Sequence, residues 1–155
     1  MTKVSFYHGV DDKLQAAANW LAQASARREP VLIYAPDAQV AANIDRLLWT
    51  LSPTSFVPHC RADSALAAQT PLVIAADLEA PPHDGCLLNL GDQVPPGFSR
   101  FERVVEIVSN AEEDKLPARD RFKFYRDRGY ALENQRFEAA EVTPSRGEGV
   151  GGRAL

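Results

Sequence analysis

Pro30-Val31-Leu32-Ile33-Tyr34-Ala35, PVLIYA at residues 30–35, is an apolar run without polar alternation. A strand with one wet face alternates, so this run reads as a strand covered on both faces, the kind found in parallel sheets. The sequence on either side is helical by period. Upstream, Leu14, Ala17, Ala18, Leu21 and Ala24 share one helical face, closed by Arg27, Arg28 and Glu29. Downstream, Val40, Ala41, Ile44, Leu47, Leu48 and Leu51 do the same. Asp11 or Asp12 can cap the first helix and Asp37 the second, because a short carboxylate accepts the backbone N–H groups that the first turn leaves unpaired. Before the first helix, Val4-Ser5-Phe6-Tyr7 forms a β-type run ending near Gly9. Strand, helix, strand, helix within fifty residues predicts an α/β domain built on a mainly parallel sheet, with helices on its faces as a three-layer arrangement.

The rest of the chain extends that pattern. Pro53 ends the second helix, residues 55–59 (SFVPH) are extended, and residues 63–69 form a helical turn. PLVIAA (71–76), CLLNL (86–90) and RVVEIV (103–108) read as further strands, separated by loops rich in Pro and Gly. Beyond Phe137, EAAEVTPSRGEGVGGRAL is poor in large apolar residues. It cannot bury enough surface to offset its ordering entropy, which predicts a domain over 1–137 and a flexible Gly/Arg-rich tail over 138–155.

At 155 residues, 45% hydrophobic and 25% charged, the composition is that of one ordinary globular domain. No run of 18 apolar residues predicts a membrane span, and no apolar h-region opens the chain. Cys60 and Cys86 lie far apart, as expected of reduced thiols in a cytoplasmic protein. The formal net charge of −4 argues against broad, non-specific binding to duplex DNA.

Against this acidic background stands DKLPARDRFKFYRDRGY, residues 114–130. It reads as an amphipathic helix with Asp114 as N-cap, Pro117 in the first turn and Gly129 as the C-terminal stop. Lys115, Arg119, Lys123 and Arg126 fall on one stripe, with Ala118, Phe122 and Tyr125 beside it. Residues 115–128 carry a local excess of four positive charges. Cations flanking an aromatic suit an anionic partner with an apolar anchor.

No catalytic chemistry stands out. Gly147, Gly149 and Gly152 match a dinucleotide-binding spacing, but neither a strand before nor a helix after them supports it. The first strand–helix turns lack a phosphate loop, so the expected sheet is Rossmann-like without one. His8, His59 and His83 are scattered, His59 and Cys60 are merely adjacent, and capping accounts for Asp11-Asp12 and for Glu112-Glu113-Asp114. The reading is therefore of no metal and no cofactor. The alternative is an α/β enzyme or nucleotide-binding domain with a site at the strand ends, needing a polar constellation near His8, Asp37 and Asp77. A direct single-stranded nucleic-acid binder using the basic helix is another alternative, with weak or no binding expected because few exposed aromatics are available to stack on bases. A second candidate surface lies in LLWTLSPTSFVPH (47–59), where Trp49 and Phe56 flank a Pro-broken helix end.

Four features taken together resemble the chi subunit family of bacterial DNA polymerase III: the opening strand with Phe6-Tyr7, RLLWTLSPTSFVPH (46–59), RVVEIV, and RDRFKFYRDRGY (119–130). The resemblance covers about residues 3–137, is weak over 60–100, and excludes the tail. It implies a non-catalytic accessory protein of the clamp-loader complex that pairs with the psi subunit. Its other implied partner is the acidic, phenylalanine-ended C-terminal tail of single-stranded DNA-binding protein. By resemblance, Lys115, Arg119 and Lys123 are basic positions of that tail site, Val108 and Phe122 line its pocket, and Arg121 is a flanking charge. Phe122 stands where the family often has Tyr. Trp49, Phe56 and Pro58 carry over as the psi contact.

Overall fold

The computed structural model describes residues 2–51 and 57–137. Seven strands form one sheet: β1 (Lys3–Val10), β2 (Val31–Tyr34), β3 (His59–Arg61), β4 (Leu72–Ala75), β5 (Cys86–Asn89), β6 (Arg103–Ser109) and β7 (Ala131–Arg136). Their spatial order is β3-β4-β2-β5-β6-β1-β7, and every pairing among them is parallel. The helices are α1 (Lys13–Ala26), α2 (Ala38–Thr50) and α3 (Glu112–Asp127). This is the expected three-layer α/β sheet, with no glycine-rich phosphate loop at its strand–helix turns.

The two faces of the sheet explain the apolar runs. Val31, Ile33, Leu72, Ile74, Leu88, Val105 and Ile107 point to one side, where Ala17, Leu21 and Ala24 of α1 and Ile44 and Leu48 of α2 cover them. Leu32, Val73, Leu87, Val104 and Val108 point to the other, where Ala118 and Tyr125 of α3 and Phe98 and Phe101 of the preceding loop pack. Each fully buried aliphatic side chain contributes about 1.5–3 kcal/mol. Trp20, absent from the helical face read from sequence, is also buried. The cap residues act as expected. Asp12 accepts the N–H of Gln15 at 3.1 Å, and Asp37 accepts that of Gln39 at 2.8 Å.

Three local expectations are corrected. The basic helix starts at Glu112, so Asp114 lies inside its first turn and Pro117 in its second. Ala111 is the N-cap residue and supplies no side-chain bond. Three acids, Glu112, Glu113 and Asp114, instead occupy the first turn, where they complement the helix dipole. A seventh strand, β7, follows the helix where the sequence showed no strand signal. ALENQR is polar because β7 is an edge strand with much of its surface in water. Finally, the turn in 63–69 is a short 3₁₀ segment, Ala67–Gln69. The predicted tail, 138–155, and residues 55–56 of the extended piece lie outside the described residues.

Candidate functional site: a basic-walled cleft beside the third helix

A cleft of about 560 Å³ opens between α3 and the strands β6, β1 and β7. Its floor is apolar: Phe6 of β1, Val108 of β6, and Ala118 and Phe122 of α3. Phe6 and Phe122 meet edge to face with ring centroids 5.1 Å apart. One wall consists of Lys115, Arg119, Lys123 and Arg126, the stripe expected from i, i+3 and i+4 spacing. The opposite wall consists of His8, Asn134 and Arg136, from strands that the basic helix does not contain. Ser109 and Asn110 close the end where β6 hands over to α3. Among the described residues, Lys115, Arg119, Lys123 and Arg136 form no ion pair, while Arg126 holds Asp127 at 3.2 Å. A cleft of this size, with an apolar floor and unneutralised cations at its mouth, can hold an apolar side chain while its neighbouring carboxylates meet the rim.

Asp114 fixes the helix against this cleft. Its carboxylate accepts the Ser109 N–H at 2.6 Å and the Lys13 ammonium at 3.2 Å. Burial pushes its pKa up, but the Ser109 N–H and the Lys13 charge outweigh burial and hold it below the usual carboxylate range. Asn110 adds a bond to Asp11 at 2.9 Å, so the start of α3 is tied to the junction of β1 and α1. A lowered folded-state pKa means that the Asp114 contribution is complete above about pH 4, the ordinary Asp range, and fades as pH falls through the folded value. Asp114→Asn is therefore expected to unfold more easily than wild type at neutral pH, with the difference shrinking on acidification. Urea titrations at pH 7 and pH 3 check this, and a constant difference would contradict it.

The positions carried over for the acidic-tail site divide. Val108, Lys115, Arg119, Phe122 and Lys123 all line the cleft. Arg121 does not, and its expected role as a flanking charge is corrected. It is 2% exposed and lies on the core side of α3. Its Nε donates to Glu106 at 3.0 Å and its Nη1 to the Asp92 carbonyl at 3.1 Å. Glu106, itself fully buried, also accepts from Tyr125 at 2.8 Å and from Asn89 at 2.9 Å. Burial first, and then the adjacent Glu106 charge, raise the Tyr125 pKa and keep the phenol a donor. Two signals for this cluster were present in the sequence. Arg121 shares a helical face with Ala118 and Tyr125, three and four residues away, and Glu106 is a lone acid among the apolar residues Val104, Val105, Ile107 and Val108. His8, Asn134 and Arg136 gave no such signal as cleft residues, because only the pairing of β1 with β7 brings them together.

The second candidate surface is partly described. Trp49 on α2 is 58% exposed and meets His59 edge to face at 4.9 Å. His59 is buried, with Nδ1 2.7 Å from the Val57 carbonyl and Nε2 2.8 Å from the Asp45 carboxylate. Pro58 is half-buried, and Phe56 lies outside the described residues. His8, Asp37 and Asp77, the residues named for a strand-end site, do not come together. His8 ends in the cleft, whereas Asp37 caps α2 and Asp77 bonds its own loop at Glu79. β5 and β6 stand between β1 and β2, so the His8 and Asp37 ends are about 14 Å apart at ordinary strand spacing. Among the described residues no group of three His, Cys, Asp or Glu side chains is placed to hold a metal. Cys60 and Cys86 are both unbridged, and burial pushes the Cys86 thiol up to about 12. No helix among the described residues is long and apolar enough to cross a membrane.

Comparison with known proteins adds to this geometry. The pattern of the family described as DNA polymerase III chi subunit, HolC, matches residues 1–133. The chain is 32% identical over 142 residues to DNA polymerase III subunit chi of Pseudomonas aeruginosa, an alignment spanning 88% of this chain and 97% of that protein. Identity to the subunit of the same name in Haemophilus influenzae is 28% over 125 residues, covering 78% of this chain and 85% of that protein. For Escherichia coli it is 29% over 126 residues, covering 78% and 86%.

Proposed function

The chain belongs to the DNA polymerase III chi subunit family, and on that premise we propose that it is a non-catalytic accessory subunit linking psi, in the clamp-loader complex, to the acidic C-terminal tail of single-stranded DNA-binding protein. The observation that carries the peptide half of this reading is the cleft, where Lys115, Arg119 and Lys123 rim an apolar floor at Phe122 and Val108. A terminal phenylalanine fits such a floor. Its carboxylate and the acids before it then lie against Lys and Arg, which suit carboxylates as charge-assisted donors. The exposed Trp49 supports the psi contact, for which Phe56 and Pro58 carry over by resemblance. A role at the replisome implies a location in the bacterial cytoplasm.

The test is fluorescence anisotropy of a labelled acidic peptide ending in Asp-Ile-Pro-Phe, titrated with wild type and Arg119→Ala. Saturable binding that needs both the terminal phenylalanine and Arg119 is the expected result. No binding at low salt would sink the peptide reading. In the same assay Lys123→Glu weakens binding more than Lys123→Ala, because repulsion of the acidic peptide adds to the lost attraction. Both differences shrink as salt rises. Equal effects of the two substitutions would contradict an electrostatic contact. The basic rim gives some support to direct single-stranded nucleic-acid binding. That alternative requires a bare oligonucleotide to bind in the same assay with a steep salt slope.

A further inference from the structure

We infer that the strand wall of the cleft, Arg136 with His8 and Asn134, forms a second anion subsite that takes an acidic side chain of the docked peptide upstream of its terminal residue. The inference rests on the peptide reading above and adds a place for the acids that the α3 cations do not hold.

The register of the sheet builds this wall. β1 and β7 pair in parallel with Phe6 opposite Asn134 and His8 opposite Arg136. Residues in register across parallel strands share a face, as do residues two apart along one strand. All four side chains therefore stand on the face that α3 covers, and all four line the cleft. Phe6 reaches Phe122 and ends the apolar floor. One step further along the strands the lining turns polar at His8 and Arg136, both exposed.

The Arg136 guanidinium is placed by shape and not by a counter-ion. Among the described residues it makes no ion pair and no side-chain hydrogen bond. It lies over Gly9, where a Cβ would come within 2.8 Å of its Nη1. Gly9 has φ +84°, and the register of β1 against β6 shifts between Tyr7 and Val10. Such an irregularity re-aims side chains at a strand end, and here it leaves a bare backbone for the arginine to rest on. A planar, uncompensated guanidinium beside an amide and an imidazole matches a carboxylate in geometry and charge. The neighbouring apolar floor favours a peptide as its source, because an anchored terminal side chain would hold upstream acids against this wall.

The experiment compares two labelled hexapeptides, Asp-Asp-Asp-Ile-Pro-Phe and Asn-Asn-Asn-Ile-Pro-Phe, which differ in charge but hardly in shape. Anisotropy titrations give the affinity ratio between them for wild type, Arg136→Gln and Arg128→Gln. Arg128 is the charge-matched control, stacked on Phe124 at 3.7 Å outside the cleft. Arg136→Gln is expected to cut the advantage of the acidic peptide about three- to fivefold, the scale of an exposed ion pair, and to leave the Asn peptide unchanged. Arg128→Gln should leave the ratio as in wild type. A ratio unchanged by Arg136→Gln, or lowered as much by Arg128→Gln, overturns the subsite while leaving the peptide reading standing. Failure of wild type to bind either peptide overturns the peptide reading itself, and the subsite with it.

Discussion

Arg121→Ala is expected to lower the free energy of unfolding by about 3–5 kcal/mol, while Arg119→Ala, two residues away on the same helix, changes it by no more than about 0.5 kcal/mol. The contrast follows from what each guanidinium meets. Arg119 is exposed at the cleft mouth, whereas Arg121 is 2% exposed and neutralises a Glu106 that has no access to water. Removing Arg121 leaves that carboxylate buried and held only by the Tyr125 hydroxyl and the Asn89 amide. It also orphans the Asp92 carbonyl and so loosens the loop that Arg121 ties to α3. Urea denaturation followed by circular dichroism measures both variants. A loss below about 1 kcal/mol for Arg121→Ala would mean that the guanidinium is solvated and that Glu106 finds its compensation elsewhere. Arg121→Lys keeps the charge but cannot reach Glu106 and the Asp92 carbonyl together as the fork does, so it should recover only part of the loss.

The second large effect is on binding. Phe122→Ala is expected to weaken the acidic, phenylalanine-ended peptide about thirtyfold, the roughly 2 kcal/mol typical of an aromatic anchor at the centre of an interface. Phe122 forms the floor together with Phe6, at 5.1 Å, and is only half-buried in the empty cleft, so its outer face remains available to an incoming ring. Phe122→Leu retains an apolar floor without the aromatic edge and should lose much less. The far-ultraviolet circular dichroism spectrum of each variant separates a binding loss from unfolding. Undiminished affinity in Phe122→Ala would remove the floor from the site. A lost helical spectrum would assign Phe122 to the core.

These two variants lie one residue apart on the helix whose sequence was the most informative in the chain, and they separate what could be read there from what could not. The 3.6-residue period placed Lys115, Arg119 and Lys123 on one stripe with Phe122 beside it, and the structure brings all four to one cleft. Counting charges along the same helix grouped Arg121 with them. Its partner, Glu106, lies fifteen residues earlier on a strand, and only the packing of α3 on β6 makes them a pair. Asp114 gave a similar error. An acid near a helix start reads as a cap, but this one binds the strand end at Ser109 and the neighbouring helix at Lys13.

By itself the sequence determined the elements and their character. Continuous apolar runs can only be strands covered on both faces, and Asp12 and Asp37 can satisfy the first turns of their helices without help from elsewhere. The family was legible too, in a few motifs spread across the domain. Tertiary structure alone decided the strand order, the addition of polar β7 as an edge beside β1, the exposure of Trp49 and the second wall of the cleft. The physical reason is range. Periodicity and capping are local, set by bonds within a few residues. Which face meets which is settled by contacts between elements that can lie more than a hundred residues apart, and His8 beside Arg136 exists only once β7 has paired with β1.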